Sequence, residues 1–139
     1  MSIRALFTAS AMLLGSAPPL SAEPFTILIY ESDPDLAART DPARAKDYWA
    51  SYAAFAGAMQ QAGILKGGQA LRWGDDARTV RVGGSVTNGP VAVAAEQLGG
   101  YFMIDVPDLD AALSWAARAP AAATGAVEVR PAHPAPAMR

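Results

Sequence analysis

The chain has 139 residues, no cysteine and a net charge of −2. That length supports one domain with a sizeable core, and 52% apolar against 17% charged residues excludes disorder. Disulfides, thiolate nucleophiles and cysteine-ligated metals are excluded, and the slight acidity offers no basic face for nucleic acid.

Residues 1–22 read as a targeting segment, with Arg4 as the one charge and an apolar run from Ala5 to Leu14. Pro18 and Pro19 precede Leu20-Ser21-Ala22, where cleavage would leave Glu23 first, although Leu20 is large for a cleavage motif. The alternative is an unprocessed extension. The run is too short for a stable membrane span. A cleaved signal makes the protein periplasmic or secreted; without cleavage it is cytoplasmic.

Phe25 to Tyr30 is apolar at nearly every position, which predicts a central strand covered on both faces. Glu31 to Asp35, with Pro34 and three acids, predicts a turn. Asp41 as N-cap and Pro42 as first residue open a helix over 42–62. Tyr48, Tyr52, Phe55 and Met59, joined by Ala45, Trp49, Ala56 and Ala62, form its apolar stripe, and Gly63 stops it.

A strand is expected around Gly68 to Leu71. Thr79–Val82 and Ser85–Thr87 read as a hairpin turned at Gly83-Gly84, followed by a turn at Asn88-Gly89-Pro90. Gly100 to Val106 reads as a strand, with Tyr101, Met103 and Asp105 on one face and Phe102 and Ile104 on the other. Asp108 caps a second helix whose inner stripe is Leu109, Ala112, Leu113 and Ala116, ended by Pro120. Ala126 to Arg130 closes the order as a strand, with Val127 and Val129 inward, before a Pro/Ala-rich tail over 132–139 expected to be disordered. The domain therefore spans 23–131. The order βαβ, hairpin, βαβ defines an α+β ferredoxin-like fold with helices on one sheet face. An apolar second face calls for a second subunit, so a homodimer is expected.

Catalytic constellations are scarce. The one histidine, His133, lies in the tail and reads as a solvated residue, which leaves no Ser-His-Asp set and no zinc site. Metal and cofactor are therefore not expected. The acid pairs Asp33/Asp35 and Asp75/Asp76 read as solvated turns, and Asp108/Asp110 as helix-start acids. None of the pairs Gly67-Gly68, Gly83-Gly84 and Gly99-Gly100 has phosphate-loop spacing, and Gly99-Gly100 reads as a bulge or a close backbone approach. The aromatic stripe either lines a ligand cavity or is plain core. Polar residues available to such a cavity are Gln69, Tyr101, Asp105, Glu128 and Arg130, with Tyr101 and Gln69 first and Arg130 in support. Glu128 and Arg130, two apart on one strand, alternatively pair with each other.

The fragments Leu28–Tyr30, Ala62-Gly63, Gly68–Leu71, Thr79–Arg81, Thr87–Val91, Glu96–Tyr101 and Val127–Pro131 together resemble the DGPF branch of the YCII-related family, over residues 25–131. The resemblance implies a dimeric α+β barrel. Asn88 and Val91 stand where the family turn has Asp and Phe, and Gln69 where it has Glu. Each amide in place of an acid casts doubt on acid–base or metal chemistry inherited at that position. Enzymatic proposals for the wider family rest on a His-Asp pair in the cleft, which has no counterpart here. The expected function is a small exported dimeric domain that binds a small molecule or protein partner without catalysis. The alternative is an enzyme acting on a small organic molecule, with Tyr101, Asp105 or Glu31 moving a proton.

Overall fold

The computed structural model describes residues 21–133, so the expected targeting segment over 1–22, apart from its last two residues, and the end of the expected tail lie outside the described residues. Among the described residues, six strands and three α-helices follow one another as β1 (Glu23–Ser32), α1 (Asp33–Ala38), α2 (Ala45–Gln61), β2 (Leu65–Ala70), β3 (Arg78–Val80), β4 (Val86–Asn88), β5 (Glu96–Val106), α3 (Leu109–Ala116) and β6 (Ala126–Pro131). Four strands form one antiparallel sheet in the order β2-β5-β1-β6. With β3 and β4 set aside as a separate hairpin, that order and the two helical crossovers are those of a ferredoxin-like α+β fold. Among the described residues, no helix is long and apolar enough to cross a membrane.

The strand run at the start is corrected in one respect. Phe25, Ile27, Ile29 and Glu31 are buried, whereas Thr26, Leu28, Tyr30 and Ser32 between them are half-exposed. Among the described residues, only the helix-facing side of β1 is covered. The core lies on that side, where Phe25, Ile27, Ile29, Ile104 and Val106 meet Phe55 and Met59 of α2 and Ala112 and Ala116 of α3.

The expected turn at Glu31–Asp35 is instead the end of β1 followed by the short helix α1. Pro34 and the acids that read as turn formers also favour a helix start: proline fits the first turn, and Asp33 and Asp35 meet the positive end of the dipole. Leu36 and Ala38 are buried and draw the segment onto the sheet. The next helix begins at Ala45 rather than residue 42. The Asp41 carboxylate is spent on the preceding turn, where it accepts from the backbone N–H of Ala43 at 2.8 Å and of Arg44 at 3.1 Å.

Gly63 ends α2 as expected. Its φ of 72° is left-handed; its N–H reaches the Gln60 carbonyl at 2.9 Å, and the Ile64 N–H reaches that of Met59 at 3.1 Å. These are the two bonds of a Schellman stop. The α3 stripe needs correction: Ala112 and Ala116 are buried, but Leu109 and Leu113 are 44% and 49% exposed. Trp115 and Ala111 pack against the core in their place, which turns the helix away from the leucine edge. Asp108 does cap α3, accepting from the Ala111 N–H at 2.8 Å. Replacing Asp108 with alanine is expected to cost about 1 kcal/mol in a urea unfolding titration. An unchanged midpoint would show that the cap contributes nothing.

The strand with Val127 and Val129 packed on the core closes the sheet. Pairing continues past Arg130, since Pro131 faces Phe25 and the Ala132 N–H reaches the Pro24 carbonyl at 2.8 Å.

Candidate functional site

The site begins where β1 and β5 fall out of step. Ile29 pairs with Gly100 but Tyr30 pairs with Leu98, so Gly99 is an extra residue in a β-bulge. Past the bulge, Glu31 still faces the helices and is 1% exposed. A buried carboxylate needs partners, and three side chains supply them. Arg39, in the turn after α1, donates from Nη2 to Glu31 Oε2. Tyr48 and Tyr52, one turn apart on α2, donate their hydroxyls to Glu31 Oε1 at 2.6 and 3.0 Å.

Arg39 ties the cluster to the sheet. Its Nε donates to the Tyr48 hydroxyl at 2.8 Å, its Nη1 to the Leu71 carbonyl at 2.5 Å and its Nη2 to the Gly99 carbonyl at 2.7 Å. Trp49 Nε1 donates to the Arg39 carbonyl at 3.1 Å. Gly99 is required for this closeness: a Cβ there would press on Glu31 Oε2 and lie 2.6 Å from Arg39 Nη2. The expected close backbone approach at this glycine is thus an approach to a buried ion pair.

Beside the cluster is a cavity of about 150 Å³. Side chains of Ile29, Tyr48, Trp49, Tyr52 and Phe102 line it with the Arg39 guanidinium, together with strand segments 68–70 and 99–101. Ring contacts order these walls. Tyr48 meets Trp49 edge-on at 4.9 Å, and Phe102 meets Phe55 edge-on at 5.3 Å.

The five residues singled out from the sequence separate cleanly. Glu31 faces the helices and is the centre of the cluster. Gln69 and Tyr101 are cross-strand partners that reach the cavity along their backbone, while strand alternation sends their side chains to the opposite, open sheet face. Asp105 and Arg130 share that open face. Asp105 pairs with Lys66 at 3.3 Å and Arg130 with Glu128 at 2.5 Å. The Arg130 hydrogen bond holds the Glu128 carboxyl below its ordinary range. Sequence reasoning missed Arg39 altogether. It saw Tyr48 and Tyr52 only as stripe residues, though a buried tyrosine pair on an apolar stripe itself signals a shared polar partner.

Chemically the carboxylate accepts three hydrogen bonds and is closed to solvent. Burial, and after it the Glu31 carboxylate, pushes both the Tyr48 and Tyr52 phenols well above their ordinary value. The phenols therefore remain neutral donors. Because the folded state holds these protons more tightly than the unfolded chain does, their contribution is complete below about pH 10 and is lost as pH rises above it. Phenolate absorbance from two of the four tyrosines is expected to appear only together with alkaline unfolding. Four tyrosines ionising reversibly in the folded protein near pH 10 would contradict the buried arrangement.

A ferredoxin-like domain with a closed polar cluster and a cavity under its longest helix is the class that fold and site define. A family model for the YCII-related domain matches residues 24–135, and the chain belongs to that family. No curated protein matches it.

Proposed function

We propose that this YCII-related protein is an exported, homodimeric domain that binds a small molecule in the cavity beside Glu31 without transforming it. The observation that carries this is the pairing of an open cavity with a carboxylate whose two oxygens are already taken by Arg39, Tyr48 and Tyr52. A general base needs a lone pair facing the substrate, and Glu31, 1% exposed and already accepting three hydrogen bonds, is not among the residues that line the cavity. Placement in the DGPF branch is part of the proposal and rests on the Thr87–Val91 and Glu96–Tyr101 segments. Export rests on the targeting pattern of residues 1–22, and Glu23 as the first residue of protein taken from its native cells is the expected result.

Dimerisation is supported by the open sheet face. There Leu98 and Met103 are 41% and 42% exposed beside half-exposed Leu28, Tyr30 and Tyr101. A second copy covering this face would remove those side chains from water. Light scattering is expected to give twice the chain mass, and charged residues at both Leu98 and Met103 to return it to one. A native protein that scatters as one chain would count against the pairing.

One observation favours a second reading, that of an enzyme. Tyr48 lines the cavity, donates to Glu31 and accepts from Arg39, so its hydroxyl connects the buried pair to a bound molecule. A survey of small organic substrates decides between the two. Binding without turnover supports the first reading; turnover that Tyr48→Phe abolishes with binding intact would replace it with the second.

A further inference from the structure

The cavity owes its volume to what three strand positions lack. On the helix-facing side of the sheet, Gly68 lies opposite Phe102 and Ala70 opposite Gly100. The neighbouring rows of the same face carry Ile27, Ile29 and Ile104. Side chains at the glycine positions are shut out by backbone. A Cβ on Gly68 would lie 2.6 Å from the Tyr101 carbonyl oxygen, and one on Gly100 2.9 Å from that of Gln69. The floor is therefore backbone with only the Ala70 methyl group upon it, while Tyr48, Trp49, Tyr52 and Phe102 supply ring surfaces above and beside it.

Such a floor with aromatic walls suits a ring, whose faces and edges meet the wall rings in stacked or edge-on contact. A cavity near 150 Å³ is about the size that admits a benzene-sized molecule. Among the described residues, Arg39 is the one charged side chain on the wall, and its charge is already opposed by Glu31. An anion would add a second negative charge beside that carboxylate, and a cation would face the guanidinium. Of the five guanidinium hydrogens, four reach Tyr48, Leu71, Glu31 and Gly99, and the second on Nη1 has no acceptor among the described residues.

We infer that the cavity takes an uncharged single-ring aromatic compound bearing one small hydrogen-bond acceptor, of the phenol type. This rests on the ligand-binding reading above and adds the class of ligand.

Calorimetric titration of the full chain with phenol, cyclohexanol and benzoate tests it. Cyclohexanol keeps the hydroxyl and the size without the ring faces; benzoate keeps the ring but adds charge. Phenol is expected to bind about tenfold more tightly than either. Ala70→Leu, which extends a side chain from the floor into the cavity, is expected to abolish that binding; Ala70→Val is the fallback if the leucine variant fails to unfold cooperatively. Cyclohexanol or benzoate matching phenol, with binding still lost on filling the floor, would overturn the aromatic class and leave the ligand-binding reading standing. No binding of any of the three, or phenol binding that survives the filled floor, would overturn both.

Discussion

Glu31→Gln is expected to destabilise the protein by about 3–5 kcal/mol, the cost of leaving a buried cation without its counter-charge. Glutamine preserves shape and its carbonyl can still accept from Tyr48 and Tyr52, but its amide nitrogen then faces Arg39 Nη2 donor to donor, so the loss combines the missing charge with a lost acceptor. Arg39 is held by the Leu71 and Gly99 carbonyls and by Tyr48, and cannot swing to solvent without breaking those bonds. Adding Arg39→Gln to that variant is expected to restore part of the loss, because no uncompensated charge then remains. The pair need not be more stabilising than an apolar substitute would be; its removal by halves is what costs. A single-variant loss below about 1 kcal/mol in urea would show that water in the cavity screens Arg39 well enough to stand in for Glu31.

Phe55→Ala is expected to cost about 3–5 kcal/mol, by lost transfer energy and the void left behind. Phe55 is buried with Met59 at the centre of the core and stands edge-on to Phe102. Phe102 is also a cavity wall, so the two sites are coupled through one ring. The unfolding midpoint is expected to fall at unchanged m-value, and binding in the cavity to weaken with it. A loss under 1 kcal/mol would mean that α2 settles onto the sheet to fill the void. Binding that stays at full strength would mean that Phe102 keeps its place without Phe55.

Several elements were legible because a local rule decides them. The four-three-four spacing of Tyr48, Tyr52, Phe55 and Met59 defines a helix face, the glycine after Ala62 supplies the left-handed stop, and Asp108 caps by reaching three residues ahead. The doubled glycine at Gly99-Gly100 was legible too, as a bulge or a close backbone approach, although β5 begins at Glu96 and the pair lies inside the strand rather than ahead of it. The helix α1 was not, since Pro34 and its acids satisfy turn and helix-start rules equally and tertiary burial of Leu36 decides between them.

The site was harder to read for a different reason. Arg39 meets carbonyls 32 and 60 positions away, a convergence that no local pattern reports. Alternation alone sorts Tyr101, Met103 and Asp105 from Phe102 and Ile104, but does not say which set faces the helices. The contact of Phe102 with Phe55 settles that, and it sends Gln69 and Tyr101 to the open face.

A nitrogen–proton NMR correlation spectrum of the full chain, recorded with and without a set of small uncharged fragments, tests binding in the cavity most directly. Shifts concentrated at the amides of Gly68, Ala70, Gly99 and Gly100 and at the Trp49 indole are the predicted result. Fragments that leave these signals unmoved, or that move only residues of the open sheet face, would contradict it.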